Sequence, residues 1–493
     1  MSLLKKLAGQ TALYGLPSIM VRFLNYLLVP IHVKCFDPAE YGVITELYAY
    51  VAFLVILLTY GMETTYFKFC LHHPKKLVFN TIMSLMIISS TFFMVGASFS
   101  VDTIAQWLSY TSHPEYITWL IITLGLDALA AIPLANLRQE EKALKFAAVN
   151  TISIGVNILL NLFFIKYCFG KYNQGETNTL MRWTFDPAIG VGYVFLANLI
   201  ASAVKLLLLA PQFTRWRPAL QTQLIKPMFA YALPLVVVGL AGTVNETFSR
   251  GFFKYFLEPR IGYNATMTEL GIFGAVYKLS ILITLFIQAY RYAAEPFFFQ
   301  QSKGENSGKG VYVQMMNIFT FIVFGLFLLV TLFLDWFKLF IDNPAYWSGL
   351  KVVPVLLLAN AFLGISYNLS IWYKLSGKTS YGAYISVIGA LVTLGLNYAL
   401  IPRFGYVGAA WSTLACYTSL MVLSFLAGQR YYPIPYQWQK NLGFLLFAMA
   451  IYFADAQYNI GMGPLQIAIK SVFLLTFAAV FLWVEKPKMI FRS

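Results

Sequence analysis

The chain is poor in charge. Asp, Glu, Lys and Arg make up 11% of its 493 residues, against about 25% in a soluble domain, which argues against an ordinary water-soluble fold. It has four histidines and four cysteines. The histidines (His32, His72, His73, His113) fall at expected helix ends or connectors, read as surface residues and show no metal-ligand spacing, and the cysteines (Cys35, Cys70, Cys168, Cys416) form no Cys-x-x-Cys pair. One pairing, Cys35 with Cys168, stays open as a disulfide near the expected outer face. No glycine-rich loop carries the Lys and Ser/Thr of a phosphate cradle, so nothing points to ATP as a direct energy source. The longest connectors, 170–188 and 291–311, are too short for a soluble domain, and neither gathers His, Asp and Ser. That disfavours a membrane-bound glycosyltransferase, glycan polymerase or ligase, which would need a folded catalytic segment.

What the chain has instead is apolar length. Hydrophobic residues make up 59% and aromatics 17%. Windows of about 20 apolar residues suit a hydrocarbon core of about 30 Å. They fall at 11–33, 41–61, 79–99, 117–137, 146–168, 189–210, 228–249, 268–290, 313–334, 352–373, 381–401, 406–427, 441–457 and 464–484. The expected fold is therefore an all-α polytopic membrane protein of about fourteen transmembrane helices. The N-terminal run follows Lys5 and Lys6, is too long for a signal-peptide core and lacks an Ala-x-Ala exit, so it reads as a retained span.

The formal charge of +15 comes from lysines and arginines scattered over short connectors. It forms no basic patch, so nucleic acid is not an expected partner. With the N-terminus inside, basic residues concentrate on the inner connectors (Lys75, Lys76, Arg138, Lys142, Arg215, Arg217, Arg430, Lys440) and acids on the outer ones (Asp37, Asp102, Glu176, Asp186, Glu258, Asp342). That bias places both termini in the cytoplasm.

Three motifs recur in order. Tyr14-Gly15-Leu16-Pro17 in the first window matches Tyr231-Ala232-Leu233-Pro234 in the seventh. Glu40-Tyr41-Gly42-Val43 at the second matches Glu269-Leu270-Gly271-Ile272 at the eighth. Asn161 followed by Gly190-Val191-Gly192 matches Asn397 followed by Gly405-Tyr406-Val407-Gly408. The order implies two parallel six-helix halves, 1–215 and 216–430, with two further helices over 431–493.

These segments also resemble a known family. The stretches Gly9 to Tyr14, Phe36-Asp37-Pro38-Ala39-Glu40-Tyr41-Gly42, Tyr277-Lys278-Leu279-Ser280 through Ala293-Ala294-Glu295-Pro296, and Asn397 through Pro402-Arg403-Phe404-Gly405-Tyr406-Val407-Gly408-Ala409-Ala410 are similar to the polysaccharide (oligosaccharide) flippases of the multidrug/oligosaccharidyl-lipid/polysaccharide exporter superfamily. The resemblance implies two lobes in a V, working by alternating access without a cofactor in a bacterial cytoplasmic membrane. The implied cargo is a polyprenyl-diphosphate-linked glycan. Implied partners are membrane lipid and a glycan polymerase or glycosyltransferases of the same pathway. The 170–188 connector is longer than its counterpart around Arg403 and departs from the repeat. Within the superfamily, a multidrug/cation antiporter and a peptidoglycan-precursor flippase are the alternatives; an antiporter would favour carboxylates inside the lobes.

An anionic head group calls for fixed cations, and arginine's planar fork suits phosphate. Arg22 is the first candidate. It stands at the middle of an apolar span, at a cost of about 2.5–3.5 kcal/mol on insertion scales, on a polar stripe with Thr11, Ser18 and Asn25. A buried structural ion pair is its alternative role. Lys278, near mid-span of the eighth window, is the second, and the expected head group sits between the two. Arg250 is a third, set one turn beyond Glu246, a spacing that favours a local salt bridge near the outer surface. Arg291 and Glu295 at the inner end of the eighth helix form an expected gate or a solvated helix end. Asp127, mid-span in the fourth helix, is the expected coupling or ion-pair acid with Arg22 as its partner, and Glu46 is a second acid. Asn157 and Asn161, on a stripe with Asn150 and Ser153, line a cavity or bond between helices. Lys205 and Lys470 read as snorkelling side chains.

Overall fold

The Phe36-Asp37-Pro38-Ala39-Glu40 stretch starts a helix because its residues cap one. Asp37 accepts a hydrogen bond from the Glu40 amide at 2.8 Å, and the Glu40 side chain accepts from the Asp37 amide at 3.0 Å. This reciprocal box, with Pro38 in the first turn, satisfies donors that a helix start leaves open. A computed structural model describes Met20 and residues 23–301, 309–458 and 463–485.

Among the described residues every regular element is helical. The principal helices are α1 (Phe23–Cys35), α2 (Pro38–Thr59), α3 (Met62–Phe69), α4 (Lys75–Ser98), α5 (Val101–Trp107), α6 (Pro114–Gln139), α7 (Ala143–Asn161), α8 (Gly192–Leu208), α9 (Thr222–Gly251), α10 (Phe253–Ile261), α11 (Tyr263–Tyr277), α12 (Ile281–Gln301), α13 (Gly310–Leu332), α14 (Val353–Leu369), α15 (Ser380–Tyr431), α16 (Trp438–Tyr458) and α17 (Pro464–Glu485). Among the described residues ten spans are long and apolar enough to cross a membrane, and the chain is an all-α polytopic membrane protein.

Four windows account for the difference between ten and the fourteen expected. The first window is described only in part, as α1. The 189–210 window yields α8, with 17 residues, and α16 is helical without being among the ten apolar spans. The 381–401 and 406–427 windows share α15, which has 52 residues. At 1.5 Å per residue a straight helix of that size would measure about 78 Å, more than twice the bilayer core. Gly405, at φ 55° and ψ −133°, breaks it.

Gly190 holds nearly the same conformation, φ 54° and ψ −129°, just before α8. Only glycine visits that region at little cost. The two glycines matched by the repeat thus do the same work. The matched asparagines also agree: Asn161 donates to the Asn157 carbonyl at 2.8 Å and Asn397 to the Thr393 carbonyl at 2.7 Å.

The described chain divides into two compact units, Met1–Gly271 and Ile272–Ser493. In the first, α2 packs on α9, and α6 packs on α4 and α8 around a core that includes Met62, Tyr66, Ile82, Met86 and Ala128. In the second, α14 packs on α15, and α13 packs on α16 and α14. All four cysteines are free, so the Cys35–Cys168 disulfide does not form; Cys35 Sγ points instead at the Ile165 carbonyl, 3.6 Å away.

Candidate functional site

Glu46 and Asp127, the two acids expected inside the membrane helices, both lie in the first unit, and each is matched by a lysine. Glu46 lies on α2 with a fully buried side chain. Lys254 on α10 is 2% exposed, with Nζ 3.2 Å from Glu46 Oε1. Tyr50, one turn along α2, donates to Glu46 Oε1 at 3.0 Å, and Tyr110 donates to Oε2 at 2.5 Å. Lys254 also donates to the Leu108 carbonyl and stands 5.1 Å and 5.6 Å from the ring centroids of Tyr110 and Tyr263. Ser109, at φ 60°, turns the chain after α5 so that Tyr110 points inward. Burying an ion pair is affordable only when its remaining donors and acceptors are satisfied, and this cage of a carboxylate, a carbonyl and aromatic faces satisfies them.

Lys254 was not legible as a site residue because it falls between two apolar windows, where the chain reads as a loop. One signal was present: it sits inside Phe252-Phe253-Lys254-Tyr255-Phe256, too aromatic for an ordinary solvent-exposed connector.

Asp127 on α6 pairs with Lys205 on α8. Nζ stands 2.8 Å from Oδ1, and the Ser202 hydroxyl donates to the same oxygen at 2.8 Å. This corrects one expectation. Asp127 has Lys205 as a partner, which the sequence did not assign to it, and Lys205 turns inward to a carboxylate instead of snorkelling. Arg22 itself lies outside the described residues.

A polar chain crosses the same unit. His32 of α1 meets Asn161, with Nε2 and Oδ1 2.8 Å apart. Asn161 donates to Asn157 Oδ1 at 2.6 Å, Asn157 to Asn198 at 3.4 Å, and Asn198 to the Tyr48 hydroxyl at 3.4 Å. The chain joins α1, α7, α8 and α2. Ser153 of the same stripe donates to the Ala201 carbonyl at 2.9 Å, while Asn25 is exposed. His32 is buried, which corrects its expected place at the surface.

The remaining candidates are placed as follows. Arg250, half-buried at the end of α9, donates to the main-chain carbonyl of Glu246 at 2.8 Å. In the second unit, Lys278 opens a single 3-10 turn, Lys278–Ser280, that interrupts the eighth expected span between α11 and α12. Ser280 in that turn accepts a hydrogen bond from Asn360 at 2.9 Å. Arg291 lies over the Tyr367 ring at 4.3 Å. Glu295 is on α12, and its side chain lies outside the described residues. Lys470, expected to snorkel, is 4% exposed; it donates to the Leu332 carbonyl at 2.8 Å and stands 3.4 Å from Asp455 Oδ1. Among the described residues no group of three or more His, Cys, Asp and Glu could hold a metal ion.

A family described as polysaccharide biosynthesis protein matches residues 7–302. The chain belongs to that family. No curated protein matches this member, but solved structures do. A structure titled as lipid II flippase MurJ in an inward closed conformation aligns with a TM-score of 0.67 at 12% identity, covering 95% of this chain and 98% of that one. An inward-facing multidrug resistance transporter of the MATE family, assigned to the MOP superfamily, aligns with a TM-score of 0.64 at 14% identity, covering 83% of this chain and 93% of that one. At these identities the likeness concerns the fold: this polysaccharide biosynthesis protein has the helical architecture of MOP transporters.

Proposed function

We propose that the protein is a flippase moving a polyprenyl-diphosphate-linked oligosaccharide across the cytoplasmic membrane of a bacterium for surface polysaccharide assembly. Both termini are cytoplasmic, and transport runs by alternating access. The observation that carries this reading is the neutralised state of the two acids inside the first unit. A cation antiporter needs carboxylates free to take a cationic cargo. Glu46 and Asp127 are instead each held by a lysine at 3.2 Å and 2.8 Å, so neither carboxylate stands ready for a cation. A diphosphate head group, being an anion, calls for cations rather than carboxylates.

In this reading Arg22, Lys278 and Arg250 are the cations that meet the head group, and Arg291 with Glu295 forms a gate. Lys278 has further support from its position at a 3-10 interruption of a membrane helix, where spanning segments often hinge or open backbone groups to cargo. Asn25, Asn157 and Asn161 supply hydrogen bonds for sugar hydroxyls. A glycan polymerase and glycosyltransferases act before and after the transport step.

The test is reconstitution of the full chain in liposomes with a fluorescent polyprenyl-diphosphate oligosaccharide, the peptidoglycan-precursor lipid and an organic cation offered in parallel. Accelerated transfer of the oligosaccharide lipid, lowered by Lys278→Ala, is the expected result. Transport of the organic cation with no transfer of either lipid would overturn the proposal, and transfer of the peptidoglycan precursor alone would reassign the cargo.

A further inference from the structure

The two glycines that the repeat equates, Gly42 and Gly271, pack against one another's helices in a reciprocal way. A methyl group on Gly42 would overlap the Met267 carbonyl oxygen, and one on Gly271 would overlap the Pro38 carbonyl oxygen. Met267 stands four residues before Gly271, and Pro38 four before Gly42. Each glycine therefore faces the carbonyl one turn back on the other helix, the self-matching pattern of a two-fold contact. Backbone meets backbone here, and any side chain would hold α2 and α11 apart.

One turn along α2 from Gly42 the symmetry ends. Glu46 occupies α2, whereas the matching position on α11 is Ala275. Glu46 is the acid held by Lys254, and Tyr263, at the start of α11, supplies one ring of the cage. The glycine contact and the charge cage thus lie on one stretch of α2 and hold the same partner segment, α10 to α11. Both helices start on the side that the connector charges assign to the outside.

We infer that this pairing is a latch closing the outer side: α2 of the first half is held against α10 and α11 of the second, with the Lys254 ammonium as a tethered cation that locks Glu46. It rests on the transporter reading above, because a latch between the halves of a repeat matters only if the halves separate. The glycine crossing gives a contact that can part without breaking interdigitated side chains. The cage gives that contact a defined closed state.

The test needs no cargo, so its failure is distinguishable from failure of the flippase reading. Thr266, beside Met267, is fully buried. A Thr266→Cys reporter in the full chain, in lipid nanodiscs, is exposed to a membrane-impermeant maleimide, and labelling of the native cysteines is subtracted with the parent protein. The reporter is expected to be protected in the otherwise unchanged chain. Lys254→Met, and separately Gly271→Ala, are expected to raise its labelling about tenfold, the scale on which a minor open state grows before it saturates, while the protein stays monodisperse. Unchanged labelling in folded variants would overturn the latch and leave a static structural pair. Loss of folded protein in both variants would overturn it equally, because a contact that opens in every transport cycle is dispensable for folding.

Discussion

The Asp127–Lys205 pair allows a quantitative test of how intramembrane charge is held. Lys205→Met removes the ammonium 2.8 Å from Asp127 Oδ1 and leaves the Ser202 hydroxyl as the remaining donor to that oxygen. Removing one partner of a fully buried pair costs about 3–5 kcal/mol, and exposed pairs are worth about 0.2–1 kcal/mol. The side chains are 20% and 32% exposed for Lys205 and Asp127, so the pair stands between those limits. The expected loss for Lys205→Met or Asp127→Asn is about 1–2 kcal/mol. The double variant Asp127→Asn/Lys205→Met should lose less than the sum, with a coupling energy of about 1 kcal/mol. Thermal unfolding of the purified full chain, followed by intrinsic fluorescence for all four members of the cycle, reads this directly. Strict additivity would refute the pairing.

Four further outcomes are expected. Gly405→Ala places a side chain at φ 55° and ψ −133° and should cost about 1–3 kcal/mol, seen as a lower unfolding midpoint; Gly443→Ala, which meets open space, serves as the control. Lys470→Met leaves Asp455, 13% exposed, without its ammonium and should cost up to about 3 kcal/mol, read in the same unfolding assay. Arg22→Ala should abolish glycan export while its level in the membrane stays normal, and full export by a normally expressed variant would remove Arg22 from the site. At the end of α6, burial pushes the Glu140 carboxyl up, but Lys142, Arg215 and Asn136 outweigh it and hold it below the usual carboxylate range. Its stabilisation is complete at neutral pH and lost as pH falls through that lowered value. The destabilisation caused by Glu140→Gln, less than about 1 kcal/mol for so exposed a pair, should therefore fade on acidification to about pH 3.

Scarcity of charge and the length of the apolar windows were enough to assign this chain to the polytopic membrane proteins, because hydropathy over about 20 residues is a local quantity. The start of α2 was equally local: Asp37, Pro38 and Glu40 cap a helix wherever they stand together. The matched glycines Gly190 and Gly405 carried a backbone break in their residue type alone, since other residues pay to adopt it. Which cation meets which carboxylate was not local. Arg22, Lys205 and Lys254 all carry the same charge, and only the packing of α6 on α8 brings Lys205 to Asp127. The partner of Glu46 lay in what reads as a loop; α10 folds back to deliver Lys254. The asparagine stripe on α7 could be read as cavity or as cement, and its bonds to α1 and α8 exist only once those helices are side by side. Sequence determined the number and kind of charges that enter the apolar helices. Tertiary structure decided their partners, because an ion pair in a membrane is set by the few ångströms between side chains far apart in the chain.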